Sequence, residues 1–102
     1  TPLLKKWLDD VLSYDWAYGN EYKLQGKNIG VAVSVGGLKN DYSKTGSVKF
    51  SMNEILAPFE ATVKYVKANL ISHYLLFDTE NISDEKLAEN AKNYIKHIFD
   101  VK

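Results

Sequence analysis

Apolar residues fall at Leu3, Leu4, Trp7, Leu8, Val11 and Leu12, one face of a 3.6-residue period, while Lys5, Lys6, Asp9 and Asp10 take the other face. Thr1 can cap the free N–H groups of this segment, and Pro2 at the first helical position loses no bond, so a helix is predicted over 2–14. The next stretch, "DWAYGNEYKLQGK" (15–27), carries aromatics with neither helical nor strand period and reads as a loop with exposed or ligand-facing rings. "NIGVAVSV" (28–35) is apolar without polar alternation, as expected of a strand buried on both faces of a parallel sheet. Residues 36–50 form a long loop, a length that is usually functional in a compact domain.

"SMNE" (51–54) fits a capping box, with Ser51 at the cap and Glu54 reaching back to it. Ile55, Leu56, Phe59, Val63 and Val66 extend that helix to about Ala68, with a kink or a fresh start expected at Pro58. "LISHYLLF" (70–77) is the second strand, followed by the turn "DTENIS". Ser83 then caps a last helix, which has Asp84 and Glu85 in its first turn and Leu87, Ala91, Tyr94, Ile95 and Ile98 on its buried side. The order is α, β, α, β, α. Two buried strands joined through a helix make a parallel βαβ unit. Three helices for two strands is a lopsided ratio, and further strands are expected beyond these.

Composition narrows the function classes. With 102 residues the chain is one small domain at most, with a thin core. Thirteen Lys and Arg balance thirteen Asp and Glu, so no basic excess favours nucleic acid. Cysteine is absent, which removes disulfides and thiolate chemistry and fits a reducing cytoplasm. His73 and His97 have no metal-binding companions; His73 is expected as a satisfied interior imidazole and His97 on a solvent face. No apolar run has the length of a membrane span, and a cytoplasmic protein is expected.

The chemistry points to "SVGGLKNDY" (34–42). Ligands of open parallel sheets bind outside the carboxyl ends of the strands, where Gly36 and Gly37 fall. Paired glycines there either let backbone N–H groups approach a flat ligand or merely satisfy a strand-ending turn. Tyr42 has no evident structural duty in its loop. Trp7 belongs to a core face, whereas Trp16 and Tyr18, without a periodic place, are open to ligand.

"PLLKKWLDDVLSYDWAYG", "LQGKNIGVAVSVGG", Tyr42, Gly46, "NEILAPFEAT" and "ISDEKLAENAKNYIKHI" together resemble the C-terminal part of the flavodoxin-like NAD(P)H oxidoreductases. That family includes NAD(P)H:quinone reductases and the ancillary oxidoreductase of glutathione-gated potassium efflux. The resemblance implies a three-layer α/β fold on a five-stranded parallel sheet, present here as its αβαβα C-terminal portion over 1–102. It also implies FMN or FAD at the strand ends, hydride transfer from NAD(P)H to a quinone-like acceptor, and a homodimer. By the same resemblance Ser34, Val35, Gly36 and Gly37 border the flavin, and Tyr42 hydrogen-bonds the reduced ring as the catalytic residue. Trp16 and Tyr18 form an aromatic wall where nicotinamide or quinone stacks. The family's histidine after the tyrosine is not matched; Val48 stands near that place. The first three strands and their phosphate-binding loop are expected to precede Thr1. The rival expectation is a non-catalytic module that dimerises through the open sheet edge at Ile29 to Val35.

Overall fold

A computed structural model describes residues 1–100, which fall into two compact units. The first comprises Thr1–Ile29 and Leu56–Leu70; the second comprises Gly30–Ile55 and the described residues from Ile71 onward. The element order is α1 (Pro2–Val11), β1 (Asn28–Ile29), β2 (Ala32–Ser34), α2 (Met52–Tyr65), β3 (Asn69–Leu70), β4 (Tyr74–Leu76) and α3 (Asp84–Phe99).

In the first unit, Thr1 Oγ1 accepts the Leu4 N–H at 3.2 Å and Pro2 opens α1, as the sequence predicts. Lys6 and Asp10 pair one turn apart at 2.7 Å on its exposed side. β1 and β3 run parallel, pairing Asn28 with Asn69 and Ile29 with Leu70. Ala17, Val63 and Val66 are buried, a small core that the aromatic loop helps to close. Tyr18 packs edge-on against Tyr14 and Tyr65, with ring centroids 5.7 and 5.3 Å apart. Gly19 (φ +90°) is required where it stands, since a Cβ there would lie 2.6 Å from the Tyr14 ring. Trp7 corrects the expectation of a core position. It is 49% exposed, as Leu3 and Leu4 beside it are also exposed, because the unit places no second layer over that face.

In the second unit β2 and β4 are parallel, with Ala32, Val33 and Ser34 opposite Tyr74, Leu75 and Leu76. The single strand expected over 28–35 is therefore two. Along the chain the register changes by one residue between the pairs: Gly30 and Val31 stand against Ile71, Ser72 and His73. Such an extra residue breaks a ladder locally. His73 fills the break, its Nδ1 accepting the Val31 N–H at 3.1 Å, which is the satisfied interior role expected of it. His97 corrects its expectation: it is half-buried, its Nε2–H donating to the Ser72 carbonyl at 2.7 Å, with its ring 5.3 Å from that of Tyr74. One side of α3 thus rests on β4 through Tyr74, Asn90, Tyr94 and His97. Leu87, Ala91, Tyr94, Ile95 and Ile98 are nevertheless all exposed, against the expectation of a buried side.

The capping box forms as read. Ser51 Oγ accepts the Glu54 N–H at 3.1 Å, and Glu54 Oε1 accepts the Ser51 N–H at 3.2 Å. α2 then continues through Pro58 without the fresh start that was one of the two expectations there, and ends at Tyr65. Thr62 Oγ1 donates to the Pro58 carbonyl at 2.9 Å. The Ser51 backbone N–H, and after it the Ser51 hydroxyl, holds the Glu54 carboxyl below its ordinary value; Lys44 adds slightly and desolvation opposes. A depressed folded-state pKa contributes stability above the unfolded value and loses it as pH falls through the folded one. A carbon-13 titration of Glu54 Cδ should give a midpoint below that of an unstructured glutamate. A midpoint at or above that value would mean that the box is not formed.

Candidate functional site

The site is built at the carboxyl end of β2. Val35 continues the pairing by donating its N–H to Leu76 O at 2.9 Å, and the ladder ends there. Gly37 O accepts the Asp78 N–H at 2.8 Å, and Val35 O accepts the Thr79 N–H at 3.2 Å, so the segment after β4 is laced to 35–37. Among the described residues, the N–H groups of Gly36 and Gly37 have no hydrogen-bond partner. Gly36 is exposed and Gly37 is half-buried.

The loop that follows is less irregular than its composition suggests. It makes a 3-10 turn at Lys39–Asp41, closed by Asp41 Oδ2 accepting the Leu38 N–H at 2.9 Å. Gly46 presses directly on that turn, its N–H donating to the Ser43 hydroxyl at 3.0 Å. The turn places the ring of Tyr42 over Gly37. A Cβ on Gly37 would meet Tyr42 Cε2 at 3.1 Å and the phenolic oxygen at 3.3 Å. Phe77 supports the ring from β4's end, with centroids 5.6 Å apart. The Tyr42 hydroxyl has no partner among the described residues, so two unpaired backbone N–H groups and an unpaired phenol occur in neighbouring residues at the end of β2. Donors so arranged suit a polarised or negatively charged acceptor edge.

A cleft of about 650 Å³ opens beside this spot, with Tyr42, Gly46, Ser51, Met52, Leu75 and Phe77 among its walls. Ser34 is placed differently. It lines a smaller cleft of about 160 Å³ with Tyr74, Asn90 and Tyr94 on the α3 side, while Val35 is half-buried. The structure thus brings Gly36, Gly37 and Tyr42 together within the second unit and gives Ser34 another exposure. Trp16 and Tyr18 lie in the first unit. Trp16 is 40% exposed, whereas Tyr18 is engaged by its tyrosine neighbours. Three residues at the second unit's site escaped sequence reasoning: Phe77, Asp41 and Glu80. Phe77 carried the signal of closing the second apolar run; the other two carried none, since loops and turns hold carboxylates everywhere.

Among the described residues no group of His, Asp or Glu could hold a metal ion, and no helix is long and apolar enough to cross a membrane.

Parallel strand pairs alternating with helices define an α/β protein, in which ligands bind at the carboxyl ends of the strands. A family model described as "Flavodoxin-like fold" matches residues 1–98, and the chain belongs to that family. It is 36% identical over 101 residues to an uncharacterized NAD(P)H oxidoreductase, YdeQ, of Bacillus subtilis (strain 168), a match covering 98% of this chain and 51% of the relative. A general stress protein 14 from Treponema denticola, solved in complex with FMN, is 37% identical with a TM-score of 0.80, over 96% of this chain and 55% of that one. An NADPH-quinone reductase from P. pentosaceus is 28% identical with a TM-score of 0.86, over 92% and 56%. A chain described as a thermophilic tryptophan halogenase from Streptomycin violaceusniger is 40% identical with a TM-score of 0.91, over 96% and 58%. The chain spans about half the length of the curated relatives it matches.

Proposed function

We propose that this chain supplies part of the flavin pocket of an NAD(P)H oxidoreductase, with Gly36, Gly37 and Tyr42 as the residues that would border the ring and meet its negative charge when reduced. The observation that carries the reading is the Tyr42 phenol held against Gly37 beside two unpaired glycine amides at the carboxyl end of β2. A bound flavin would supply two-electron chemistry, taking up hydride equivalents from NAD(P)H and handing them to an acceptor. The FMN complex of the Treponema protein and the NAD(P)H oxidoreductase name of the Bacillus relative support this class. The name of the P. pentosaceus protein supports a quinone as acceptor.

The chain's own residues have definable duties in this reading. The two amides are fixed dipoles that need no reorganisation as charge develops, and side-chain-free glycine lets a flat ring come within hydrogen-bonding range. Tyr42, pressed between Gly37 and Phe77, donates from a fixed position, so its bond should strengthen as the acceptor gains charge. Val35 is half-buried just before the glycines, whereas Ser34, which lines the α3-side cleft, stands apart from the three donors. In the first unit, exposed Trp16 is the residue on which a planar nicotinamide or quinone would stack, and Tyr18 shapes the loop that carries it.

Titration of FMN into the protein, followed by quenching of flavin fluorescence, tests the reading. Saturable uptake is expected, and Tyr42→Phe should weaken the dithionite-reduced form about tenfold more than the oxidised form, the order of one hydrogen bond to a charged group. A second reading rests on β2 having a single strand neighbour, β4, among the described residues, which leaves one edge of Ala32–Ser34 open for a second copy. A chain that takes up no FMN yet dimerises in light scattering would favour that association module over the flavin site.

A further inference from the structure

The turn after β4 carries a carboxylate to Gly36. Asp78 stands at φ +55°, a left-handed conformation uncommon outside glycine, and three contacts hold it there. Its N–H donates to Gly37 O at 2.8 Å, its Oδ1 accepts from Asn81 Nδ2 at 2.8 Å, and its carbonyl accepts the Asn81 N–H at 3.2 Å. Thr79 is pinned to Val35 O. The chain direction fixed by these two residues lays the Glu80 side chain along Gly36. A methyl group on Gly36 would meet Glu80 Oε1 at 3.5 Å, Cδ at 3.7 Å and Cγ at 3.8 Å. Glu80 is exposed, and its carboxylate has neither a hydrogen bond nor an ion pair among the described residues. Asp41 differs. Its Oδ2 lies 3.5 Å from the Cβ position of Gly37, but it already accepts the Leu38 N–H. The left-handed turn at Asp78 and the Thr79 tie to Val35 thus set an unpaired carboxylate beside Gly36.

We propose that Glu80 sets the charge of the amide site, so that the site holds reduced flavin less tightly than its three donors alone would. The inference rests on the flavin reading above. Two amides and a phenol favour negative charge on the ring, and a full negative charge beside Gly36 opposes it. Reduced flavin, carrying more negative charge than the oxidised ring, feels the opposition more. The result is a lower midpoint potential, which makes the bound cofactor a stronger reductant for its acceptor. Because Glu80 is exposed, screening keeps the effect modest.

The experiment compares the wild-type chain with Glu80→Gln and Glu80→Asp, measuring affinity for oxidised FMN and for FMN reduced anaerobically with dithionite. Glu80→Gln should tighten the reduced form about fivefold relative to the oxidised form, which for this two-electron couple raises the midpoint by about 20 mV. Glu80→Asp, which keeps the charge, should stay near wild type. An unchanged ratio in Glu80→Gln, or equal shifts in both variants, would overturn the inference while leaving the flavin reading intact. Failure of all three proteins to take up FMN would overturn both.

Discussion

Gly46→Ala should cost about 2–3 kcal/mol and dismantle the loop that seats Tyr42, more than its distance from β2 would suggest. A Cβ at Gly46 would lie 2.4 Å from the carbonyl oxygens of both Asn40 and Asp41, and 2.6 Å from the Asp41 carbonyl carbon. All three are backbone atoms, so no rotamer change relieves the overlap. The same short segment is tied at both ends: Gly46 N–H donates to Ser43, and Val48 N–H donates to Asp41 O at 3.0 Å. The methyl group can be admitted only if the 3-10 turn at Lys39–Asp41 lifts, which draws Asp41 from the Leu38 N–H and Tyr42 from Gly37. Urea unfolding should show the lost stability, and the near-ultraviolet signal of the tyrosines should fall before the main transition. A variant within about 0.5 kcal/mol of wild type would mean that the loop yields freely and that Gly46 does not seat Tyr42.

Helix starts were the most legible part of the sequence, because a cap is a local device. Thr1, Ser51 and Ser83 each accept the N–H three residues on, as their spacing predicted. Parallel pairing of the two valine- and leucine-rich segments was legible as well, since runs without polar alternation have no solvent face to offer. The break inside those segments was not. It comes from a one-residue difference in register, and periodicity within one strand carries no information about its partner's count. Exposure of Trp7 and of the Ile95 and Ile98 side of α3 has a similar origin. An apolar stripe says which face seeks cover, and the layer that covers it is a matter of the remaining chain or a partner.

Within the site, Gly36, Gly37 and Tyr42 could be singled out because glycine pairs and unperiodic aromatics stand out from their surroundings. Glu80 could not. Its position depends on a left-handed Asp78 that is held by Gly37 O, a contact spanning some forty residues of sequence. Non-local hydrogen bonds of this kind fix where a turn points, and they leave no mark in the turn's own composition.

His73→Phe should cost about 1–3 kcal/mol although it keeps an aromatic ring of similar bulk in place. The reason lies in the register change. Where Gly30 and Val31 face three residues, no strand carbonyl is aligned with the Val31 N–H, and His73 Nδ1 takes that role at 3.1 Å. An accepting Nδ1 leaves the ring proton of the neutral imidazole on Nε2. Phenylalanine offers no acceptor, so a part-buried N–H loses its partner at the point where β2 begins. The pairing of Ala32 with Tyr74 follows one residue later, and β2 ends at the glycine amides, so loosening here reaches the candidate site through the strand itself. Hydrogen exchange at the Val31 amide should accelerate by at least tenfold in His73→Phe, with Ala32 to Ser34 following to a smaller degree. His73→Asn, whose Oδ1 can stand near the place of Nδ1, should recover part of both the protection and the stability. Equal exchange at Val31 in wild type and His73→Phe would show that the imidazole merely fills space between the unequal segments 30–31 and 71–73.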